Sequence, residues 1–397
     1  MTRTLDGGFP TLRLLVLTGA IFASVSSEFL PTGLLPEMSA ELGVSESRIG
    51  LLVTVFAGTV VLSTAPLTIL TRRYSRKWLM VLLLGIFALT NVLCAIAPSY
   101  EFLLGARVLG GLAHGLFWAV TGPYAALLVP RHQLARAISL TNAGGTLAFI
   151  FGVPLGTFLG HALGWRFAFA AMAATVLVFM VLVVLYLPPV SHLVPLATGE
   201  IPLPTRKDRS LPAVIIVCVS VTLVATGHNL FYTYIAPWAI QVGGVEPDWV
   251  SGLLFAYGAA GAIGLALGGA FGDRYPRGAV NVALAGLTAS VLFLAAFGTE
   301  VLPVVIGMAV WSASFGGVPA LMHSRVLHSA SDRIRDLAAA WLTTAFNLAI
   351  GGGALIGGGL LDAYGIQILP WIASAVILVG LVFVLATDRA RIAAHPS

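Results

Sequence analysis

The sequence predicts an all-α membrane protein whose twelve transmembrane helices form two pseudo-symmetric six-helix bundles. The first observation is composition: 58% of the 397 residues are hydrophobic and only 9% are charged. That is too little charge to cover the surface of a soluble protein. The second is a repeat, because the segment Arg73–Arg76 (RYSR) recurs 201 positions later as Arg274–Arg277 (RYPR). Each copy follows two long apolar segments and precedes four more.

Each apolar segment has about 20 residues, the length that crosses a hydrocarbon core of about 30 Å. Lipid offers the backbone no hydrogen-bond partner, so each segment is expected to be a helix. The predicted spans are 12–35, 48–70, 78–98, 101–127, 134–161, 166–187, 212–237, 248–270, 278–298, 301–327, 336–361 and 366–387.

A proline-rich stretch separates the two groups of spans. Pro188, Pro189, Pro195, Pro202 and Pro204 disfavour a helix and favour an extended tether. The predicted organisation is therefore a six-helix bundle at 1–187, a cytoplasmic linker at 188–211 and a second six-helix bundle at 212–397. The sequence contains no G-x-x-x-x-G-K-[ST] motif, so this chain is not expected to hydrolyse ATP.

The distribution of Lys and Arg predicts the orientation. Most of the 21 basic residues lie in the terminal segments and in the even-numbered connections, whereas the odd-numbered connections carry acids such as Glu37, Glu41 and Glu101. Both termini are therefore expected in the cytoplasm, with the chain in the cell inner membrane. The net charge of +5 reflects this asymmetry. It does not indicate nucleic acid, because no basic stretch outside the membrane is interleaved with aromatic residues.

Ionisable residues inside the spans are functional candidates, because a charge in hydrocarbon is costly. Glu28 in span 1 and Arg107 in span 4 lie at similar depth, about 10 Å from the outer ends. They form either a salt bridge that positions two helices or a proton site, in which burial and the arginine act on the carboxylate in opposite directions. Arg107, Gly111, His114 and Trp118 form one stripe along span 4. His114 is thus either a structural donor or part of the functional site.

Span 7 carries a second polar group, made of His228, Asn229 and Tyr232. Such a cluster suits a hydroxyl-rich or amphipathic ligand, with aromatic faces against its apolar parts. The alternative is a set of hydrogen bonds between helices. Asn347 in span 11 and Trp311 in span 10 are weaker candidates, and Trp311 fits a lipid-facing position equally well.

Small residues recur at four-residue spacing in spans 5 and 11, where they would allow another backbone to approach closely. Pro154 lacks a backbone N–H and is expected to kink span 5. We interpret Gly152, Pro154 and Gly156 as hinge and packing residues, and the two stripes as sliding contacts between the bundles. The stripe in span 5 comprises Gly144, Ala148, Gly152, Gly156 and Gly160, and that in span 11 comprises Ala345, Ala349, Gly353 and Gly357.

These segments resemble the major facilitator superfamily of secondary transporters over nearly the whole chain. Residues 269–277 (GAFGDRYPR) resemble the family's loop motif, with 68–77 (TILTRRYSRK) as the first-half counterpart. Arg107 with Gly111 resembles the span-4 motif associated with proton coupling, and 152–156 (GVPLG) resembles the span-5 motif typical of antiporters. Glu28-Phe29, 33–36 (GLLP), 113–115 (AHG) and 232–237 (YTYIAP) resemble the sugar-efflux group within the drug–proton antiporter branch.

The resemblance implies the major facilitator fold and a proton-coupled antiporter that exports small molecules, with sugars or sugar-like compounds as the expected substrates. Glu28 is expected to carry the proton, tuned by Arg107 and assisted by His114. No cofactor other than the coupling proton is expected, and the expected partners are substrate, protons and the lipid bilayer, with the chain acting as a monomer. The residues expected to contact substrate or relay protons are His114, Trp118, His228, Asn229, Tyr232 and Asn347.

Other functions on the same fold stay open. They are efflux of drugs, purines or amino-acid derivatives, and proton symport, against which the resemblance of span 5 argues. A membrane-embedded enzyme fits less well, because the titratable groups are spread over three spans. A membrane sensor fits less well because no soluble output domain is evident.

One departure from the family's pattern concerns the loop after span 2. Thr68 and Arg72 stand where the family usually has a glycine and an aspartate, and that aspartate faces the positive N-terminus of span 11. Arg72 would be repelled there, so Arg72 or Arg73 is expected to pair with Asp332 or Asp336 when the cytoplasmic side closes. The predicted latch residues are Arg72, Arg73, Asp273, Arg274, Arg277, Asp332 and Asp336.

Overall fold

The computed structural model describes residues 9–71, 74–130, 133–189, 208–272, 274–331 and 333–394. Within these residues, twelve helices are long and apolar enough to cross a membrane, which confirms the predicted all-α class. Spans 1 to 12 are Thr11–Gly33, Glu46–Thr71, Arg76–Ala95, Tyr100–Leu127, Arg136–Leu163, Trp165–Tyr186, Leu211–Tyr232, Pro247–Gly272, Pro276–Phe297, Val301–Ser329, Leu337–Tyr364 and Ile366–Arg389.

The helix starts repeat along the chain. Span 3 begins at Arg76 and span 9 at Pro276, while span 4 begins at Tyr100 and span 10 at Val301. The offset of 200 or 201 residues is the one that separates the two basic loops in the sequence. We call the described residues 9–189 the N-half and 208–394 the C-half, and we use this offset to compare them.

Several spans are interrupted near their middle or their ends. Span 1 contains Pro31 and ends at Gly33, after which a short helix, Leu35–Leu42, continues in the same half. Span 5 contains a π-helical turn, Ala148–Gly152, immediately before the helix Val153–Leu163 that contains Pro154. Proline removes one helical hydrogen bond, and local rearrangements of this kind accommodate the loss.

The two halves touch near the end of the spans that carries the odd-numbered connections, which we call the acidic face. There Ser47 Oγ donates to Asp362 Oδ2 at 2.8 Å, and Gln241 Nε2 donates to Glu46 Oε1 at 2.9 Å. Deeper in the molecule, Thr54 Oγ1 donates to the carbonyl oxygen of Gly351 at 3.0 Å. The first and third contacts join spans 2 and 11, and the second joins span 2 to the short helix Ile235–Gln241 that follows span 7, so all three cross between the halves.

Spans 2 and 11 both carry exposed residues toward the other end, which has the even-numbered connections and which we call the basic face. On span 11, Ala340, Thr343 and Thr344 lie on the face that meets span 2 further along, yet they are exposed. On span 2, Ala65 is likewise exposed. We interpret this exposure, together with the contacts at the acidic face, as an arrangement closed at the acidic face and open at the basic face.

A short tether on the basic face holds the start of span 7 against the connection between spans 10 and 11. Asp208 accepts hydrogen bonds from Ser210 Oγ at 2.6 Å and from Ser331 Oγ at 2.7 Å. The bonds from Ser210 and Ser331 lower the pKa of Asp208 to about 2. Asp208 therefore stays ionised, and can keep accepting these bonds, until the pH falls to that value.

Candidate functional site

The N-half site combines one residue from span 1 with one from span 4. Glu28 is 5% exposed and His114 is 2% exposed. Glu28 Oε2 lies 3.4 Å from His114 Nε2. The structure thus brings together the predicted carboxylate and the predicted imidazole, although they are 86 positions apart in the sequence.

Both ring nitrogens of His114 have a second polar neighbour. Nδ1 lies 3.0 Å from Ser24 Oγ, and Nε2 accepts a hydrogen bond of 2.8 Å from the indole Nε1–H of Trp118. The rings of Phe56 and Phe87 approach His114 edge-on, with centroids 5.1 and 6.0 Å away. His114 is therefore held in one orientation by polar contacts on both sides and apolar rings around it.

Arg107 binds the backbone of span 1, whereas the sequence suggested a direct pair with the Glu28 carboxylate. Its Nη1 donates to the carbonyl oxygen of Ser27 at 3.0 Å and its Nη2 to that of Glu28 at 2.8 Å. The reason lies four residues further along, at Pro31. Proline has no N–H, so the carbonyl of Ser27 lacks its usual helical donor. The guanidinium supplies the missing donor and packs over the ring of Phe56, 4.3 Å from the ring centroid.

A small polar cavity lies beside the arginine, with room for about one water molecule. Ser27 and Asn91 face it and exchange hydrogen bonds of 2.8 and 3.0 Å. The buried Nε of Arg107 has no partner within the described residues. The cavity and this N–H extend the polar site from Glu28 toward span 3.

The C-half places its histidine among aromatic rings. His228 Nδ1 accepts a hydrogen bond of 3.0 Å from Trp311 Nε1, so in the neutral ring the proton lies on Nε2. The ring of Phe315 stacks on His228 with centroids 3.5 Å apart, and Tyr232 stacks on it at 5.4 Å. Trp311 is fully buried, so it does not face lipid.

The two predicted asparagines bond to their own helices. Asn229 is buried and its Nδ2 donates to the carbonyl of Ala225 at 2.8 Å, whereas Asn347 is half-buried and its Nδ2 donates to the carbonyl of the exposed Thr343 at 3.0 Å. Asn347 thus lies on the open side of span 11, and Asn229 lies beside His228.

Aromatic rings connect the two halves between these sites. The ring centroid of Phe29, next to Glu28, lies 6.3 Å from that of Tyr232. The ring centroid of Phe149, in span 5, lies 6.2 Å from that of Tyr232. Since Tyr232 also stacks on His228, the structure places the N-half and C-half groups on either side of one aromatic bridge.

The interpretation of the small-residue stripes as contacts between the halves is wrong. A Cβ added at Gly152 would lie 1.8 Å from Ser26 Oγ, and one added at Gly156 would lie 2.4 Å from Leu30, both on span 1 of the same half. Gly353 similarly approaches span 7. The stripes hold each half together, because span 1 lies nearest to the stripe of span 5 and span 7 lies nearest to that of span 11.

Neighbouring positions make the contacts between the halves. A Cβ added at Gly258 of span 8 would lie 2.2 Å from the carbonyl oxygen of Phe149, and one at Gly351 would lie 3.2 Å from Ala57. Spacing alone cannot tell which side of a glycine-rich helix faces which partner.

Most of the predicted latch is outside the described residues. This applies to Arg72, Arg73, Asp273 and Asp332 and to the side chain of Asp336. Arg274 is described and its guanidinium lies 5.4 Å from the ring centroid of Tyr275, while Arg277 is exposed. Arg136, at the start of span 5, packs over the ring of Phe9, with its guanidinium 4.2 Å from the ring centroid. The proposed pairing of Arg72 or Arg73 with Asp332 or Asp336 stays a prediction.

Sequence reasoning did not include Ser24 or Phe315 in the site. Ser24 lies one helical turn before Glu28, on the same face of span 1, which was a usable signal. Phe315 lies 201 positions after His114, so the repeat also pointed to it.

Comparison with known proteins gives a consistent assignment. The family model for the Major Facilitator Superfamily matches residues 17–334 and 250–396. A protein of Helicobacter pylori strain P12 named "Probable sugar efflux transporter" is 29% identical over 374 residues, covering 94% of each chain. The protein of the same name from strain J99 is 27% identical over 373 residues, again covering 94% of each chain.

Solved structures show the same fold. A bacterial homolog of the human lysosomal transporter Spinster, in an inward-facing and unoccupied conformation, has a TM-score of 0.74 at 16% identity, covering 97% of this chain and 98% of that chain. A mutant of the nucleoside transporter NupG has a TM-score of 0.76 at 16% identity, covering 95% and 99%. The fold, the matched family model and the relatives agree, and the chain is a member of the major facilitator superfamily, a family of membrane transporters and not of enzymes.

Proposed function

We propose that this protein is a proton-coupled antiporter of the inner membrane, which exports sugars or sugar-like compounds in exchange for protons. The observation that carries the proposal is the contact between Glu28 Oε2 and His114 Nε2 at 3.4 Å, within a nearly fully buried pair. Ionisable groups inside a membrane are retained for function, and a carboxylic acid beside an imidazole can take up and release a proton.

The substrate path is assigned to the opening at the basic face. By the positive-inside rule this face is cytoplasmic, so the described conformation faces inward. Trp118 lies one helical turn closer to that face than His114 and is partly exposed. Substrate entering from the cytoplasm would meet the Trp118 side chain before it reaches the buried pair.

The substrate class rests on the relatives and on the rings of the C-half. Both H. pylori relatives carry the name sugar efflux transporter. Tyr232 and His228 offer aromatic faces beside polar atoms, an arrangement that suits the apolar face and the hydroxyl groups of a sugar ring. Purines, amino-acid derivatives and amphipathic drugs are the competing ligands that a substrate panel must include.

The exchange requires that binding of the proton weakens binding of the substrate. Because coupling between two ligands is reciprocal, binding of the substrate then also weakens binding of the proton. Glu28 ionises when substrate enters from the cytoplasm, and protonation of Glu28 from outside promotes release of the substrate there. Arg107, held on the backbone of span 1, contributes a fixed positive charge near the carboxylate.

The test uses the full chain in proteoliposomes with an imposed pH gradient and a panel of labelled pentoses, hexoses and alkyl glucosides. The wild type is expected to move at least one of them against its concentration gradient. Glu28→Gln is expected to abolish this accumulation while retaining exchange of labelled for unlabelled sugar at equal pH. A matched control is Glu101→Gln, because the Glu101 side chain is exposed on the acidic face.

Two outcomes contradict the proposal. Accumulation by Glu28→Gln at the wild-type rate would remove Glu28 as the proton site. Accumulation of sugar on the same side as the incoming protons would replace antiport by symport.

A further inference from the structure

Two groups compete for one atom of the N-half site, Nε2 of His114. Two groups point at it: the indole N–H of Trp118 at 2.8 Å and the carboxyl group of Glu28 at 3.4 Å. A neutral imidazole nitrogen either carries a proton and donates, or has a lone pair and accepts. Nε2 therefore cannot accept from the indole and donate to the carboxylate at the same time.

We propose that Trp118 links the proton to the substrate, because its indole N–H is free to bind a substrate oxygen only when Glu28 is ionised. This inference rests on the proposed function of Glu28 as the proton site and goes beyond it by naming the group that transmits the charge state. Trp118 acts through His114 on the proton and directly on the substrate.

The described geometry fits the state in which Glu28 is protonated. The short bond from Trp118 requires a lone pair on Nε2, so the ring proton lies on Nδ1, where Ser24 Oγ at 3.0 Å accepts it. An ionised Glu28 would then face a lone pair at 3.4 Å, which is repulsive, whereas a protonated Glu28 presents no such conflict.

The ionised state reverses these roles. An ionised carboxylate is stabilised by a donor, so the imidazole proton moves to Nε2 and binds Glu28 in a charge-assisted hydrogen bond. Nδ1 then accepts from the Ser24 hydroxyl. The indole of Trp118 loses its acceptor and, being partly exposed toward the open basic face, turns its N–H to a ligand oxygen.

The proton count balances. The ionised pair holds one proton, on Nε2 of His114, and the protonated pair holds two, on Nδ1 of His114 and on Glu28. When a proton arrives at Nδ1, the proton on Nε2 passes to Glu28 Oε2 and the lone pair left on Nε2 accepts the indole again. Substrate loses a hydrogen bond in the step that loads the proton, which is the reciprocal coupling that antiport requires.

Other charged groups do not duplicate this link. Arg107 is the charged residue whose field acts on both Glu28 and His114, and its guanidinium is held by two carbonyl groups of span 1. The Cys94 thiol on span 3 lines the small cavity beside Arg107, and Tyr232 approaches Phe29 from span 7. Neither of these two lies within reach of the indole in the described contacts.

The C-half offers a matched control within the same chain. Trp311 also donates its indole N–H to a histidine nitrogen, Nδ1 of His228, but aromatic rings surround that histidine and no carboxylate contacts it in the described residues. Ionisation of Glu28 should therefore change the hydrogen bond of Trp118 and leave that of Trp311 unchanged.

The experiment needs no substrate. Protein labelled with ¹⁵N-tryptophan is placed in nanodiscs, and the indole N–H resonances are followed between pH 5 and 9, with Trp118→Phe and Trp311→Phe assigning the two signals. His114→Phe supplies the reference position of a Trp118 indole without an imidazole acceptor. The Trp118 signal is expected to move toward that reference as the pH rises, and the Trp311 signal to stay fixed. In Glu28→Gln the movement of the Trp118 signal should disappear.

A Trp118 signal that stays fixed throughout this pH range overturns the inference, as does movement that persists in Glu28→Gln. A transport arm separates its failure from that of the proposed function. Trp118→Phe keeps a ring but not the N–H, so its equilibrium exchange of labelled arabinose should lose the pH dependence that wild type and Trp311→Phe retain. If Glu28→Gln removes that dependence but Trp118→Phe keeps it, Glu28 remains the proton site and only the link through Trp118 is wrong. An absence of any effect of Glu28→Gln overturns both.

Discussion

The N-half and the C-half each bury one histidine, and each histidine accepts a hydrogen bond from a tryptophan indole, but the two rings have different surroundings. His114 lies 3.4 Å from the carboxylate of Glu28. His228 lies between aromatic rings, with Phe315 stacked on it at 3.5 Å and Tyr232 at 5.4 Å. The first environment can exchange a proton, whereas the second offers flat apolar faces and a neutral N–H.

The repeat offset shows how two related halves reach this difference. Position 229 holds Asn229 in place of Glu28, and position 308 holds Met308 in place of Arg107. Both charges of the N-half site are thus replaced by neutral side chains in the C-half, while the helices keep the same order. The proposed function therefore assigns proton chemistry to one half of a shared helical framework and ligand packing to the other.

The largest effect is expected when Arg107 is replaced by its C-half counterpart, as Arg107→Met. The carbonyls of Ser27 and Glu28 lose a charged donor, and the carboxylate loses the neighbouring cation. We expect the unfolding free energy to fall by about 2–4 kcal/mol, and pH-driven transport to fall by at least about 100-fold, which is about 2.7 kcal/mol.

Unfolding in mixed micelles and transport in proteoliposomes measure the two effects. The control is Arg48→Met, because the Arg48 side chain is half exposed and its pair with Glu101 is on the surface. Wild-type transport by Arg107→Met would mean that the positive charge does not distinguish the halves.

The reverse exchange places a carboxylate in the C-half as Asn229→Asp. Asn229 is 5% exposed, and the C-half position that corresponds to Arg107 holds Met308. The new charge therefore has no cation at that position. We expect a loss of about 3 kcal/mol in unfolding free energy at pH 8. The loss should be smaller at pH 5, where the new acid is more fully protonated. Equal stability of variant and wild type at pH 8 would show that the C-half can also hold a charge.

A third change tests the packing between the two halves and leaves both histidines unaltered. A Cβ at Gly258 would lie 2.2 Å from the carbonyl oxygen of Phe149, so Gly258→Val should disfavour closure of the acidic face by about 1–3 kcal/mol. A cysteine at position 47, in the background of each variant, reports the opening by its rate of alkylation, since Ser47 is 4% exposed in the closed arrangement.

The control for this change is Gly252→Val on the same span, where an added Cβ meets its nearest atom, in Trp249, only at 3.8 Å. Faster alkylation in Gly258→Val than in Gly252→Val is the expected result. Equal rates would show that spans 5 and 8 do not determine closure.

The smallest effect is expected for Phe315→Leu, which removes the ring stacked on His228. Loss of one aromatic contact of this kind costs about 0.5–1.5 kcal/mol, so sugar binding should weaken by a factor of about 2 to 12. The pH dependence of binding should stay as in wild type. Titration calorimetry with arabinose at two pH values measures both, and Phe297→Leu at an exposed site is the control. A changed pH dependence would mean that the C-half also titrates.

Much of the framework could be predicted, because the signals are local. Apolar length predicted twelve spans, and the repeated basic loop predicted the offset that the helix starts reproduce. Glu28 and His114 stood out because charged or titratable residues are rare in a membrane. Their direct contact was not predictable, since spacing along one helix says nothing about the rotation of another.

Two sets of contacts depend on how the helices pack and could not be predicted from spacing in the sequence. Gly152 and Gly156 were expected to face the other half, but they pack on span 1 of their own half. Arg107 was expected to face the carboxylate of Glu28. Because Pro31 has no N–H, the carbonyl of Ser27 lacks its helical donor and accepts a hydrogen bond from Arg107. Both outcomes depend on which atoms lie across an interface.

By itself the sequence determined the fold class, the approximate spans, the internal repeat and the candidate ionisable groups inside the spans, because hydrophobic length and the cost of burying charge act through composition. The tertiary structure decided which groups meet. It placed Glu28 and Trp118 at the same nitrogen of His114, surrounded His228 with rings, and left the basic face open. Such contacts depend on the rotation of each helix and on which group binds the carbonyl that a proline leaves without a donor, and no local pattern encodes either.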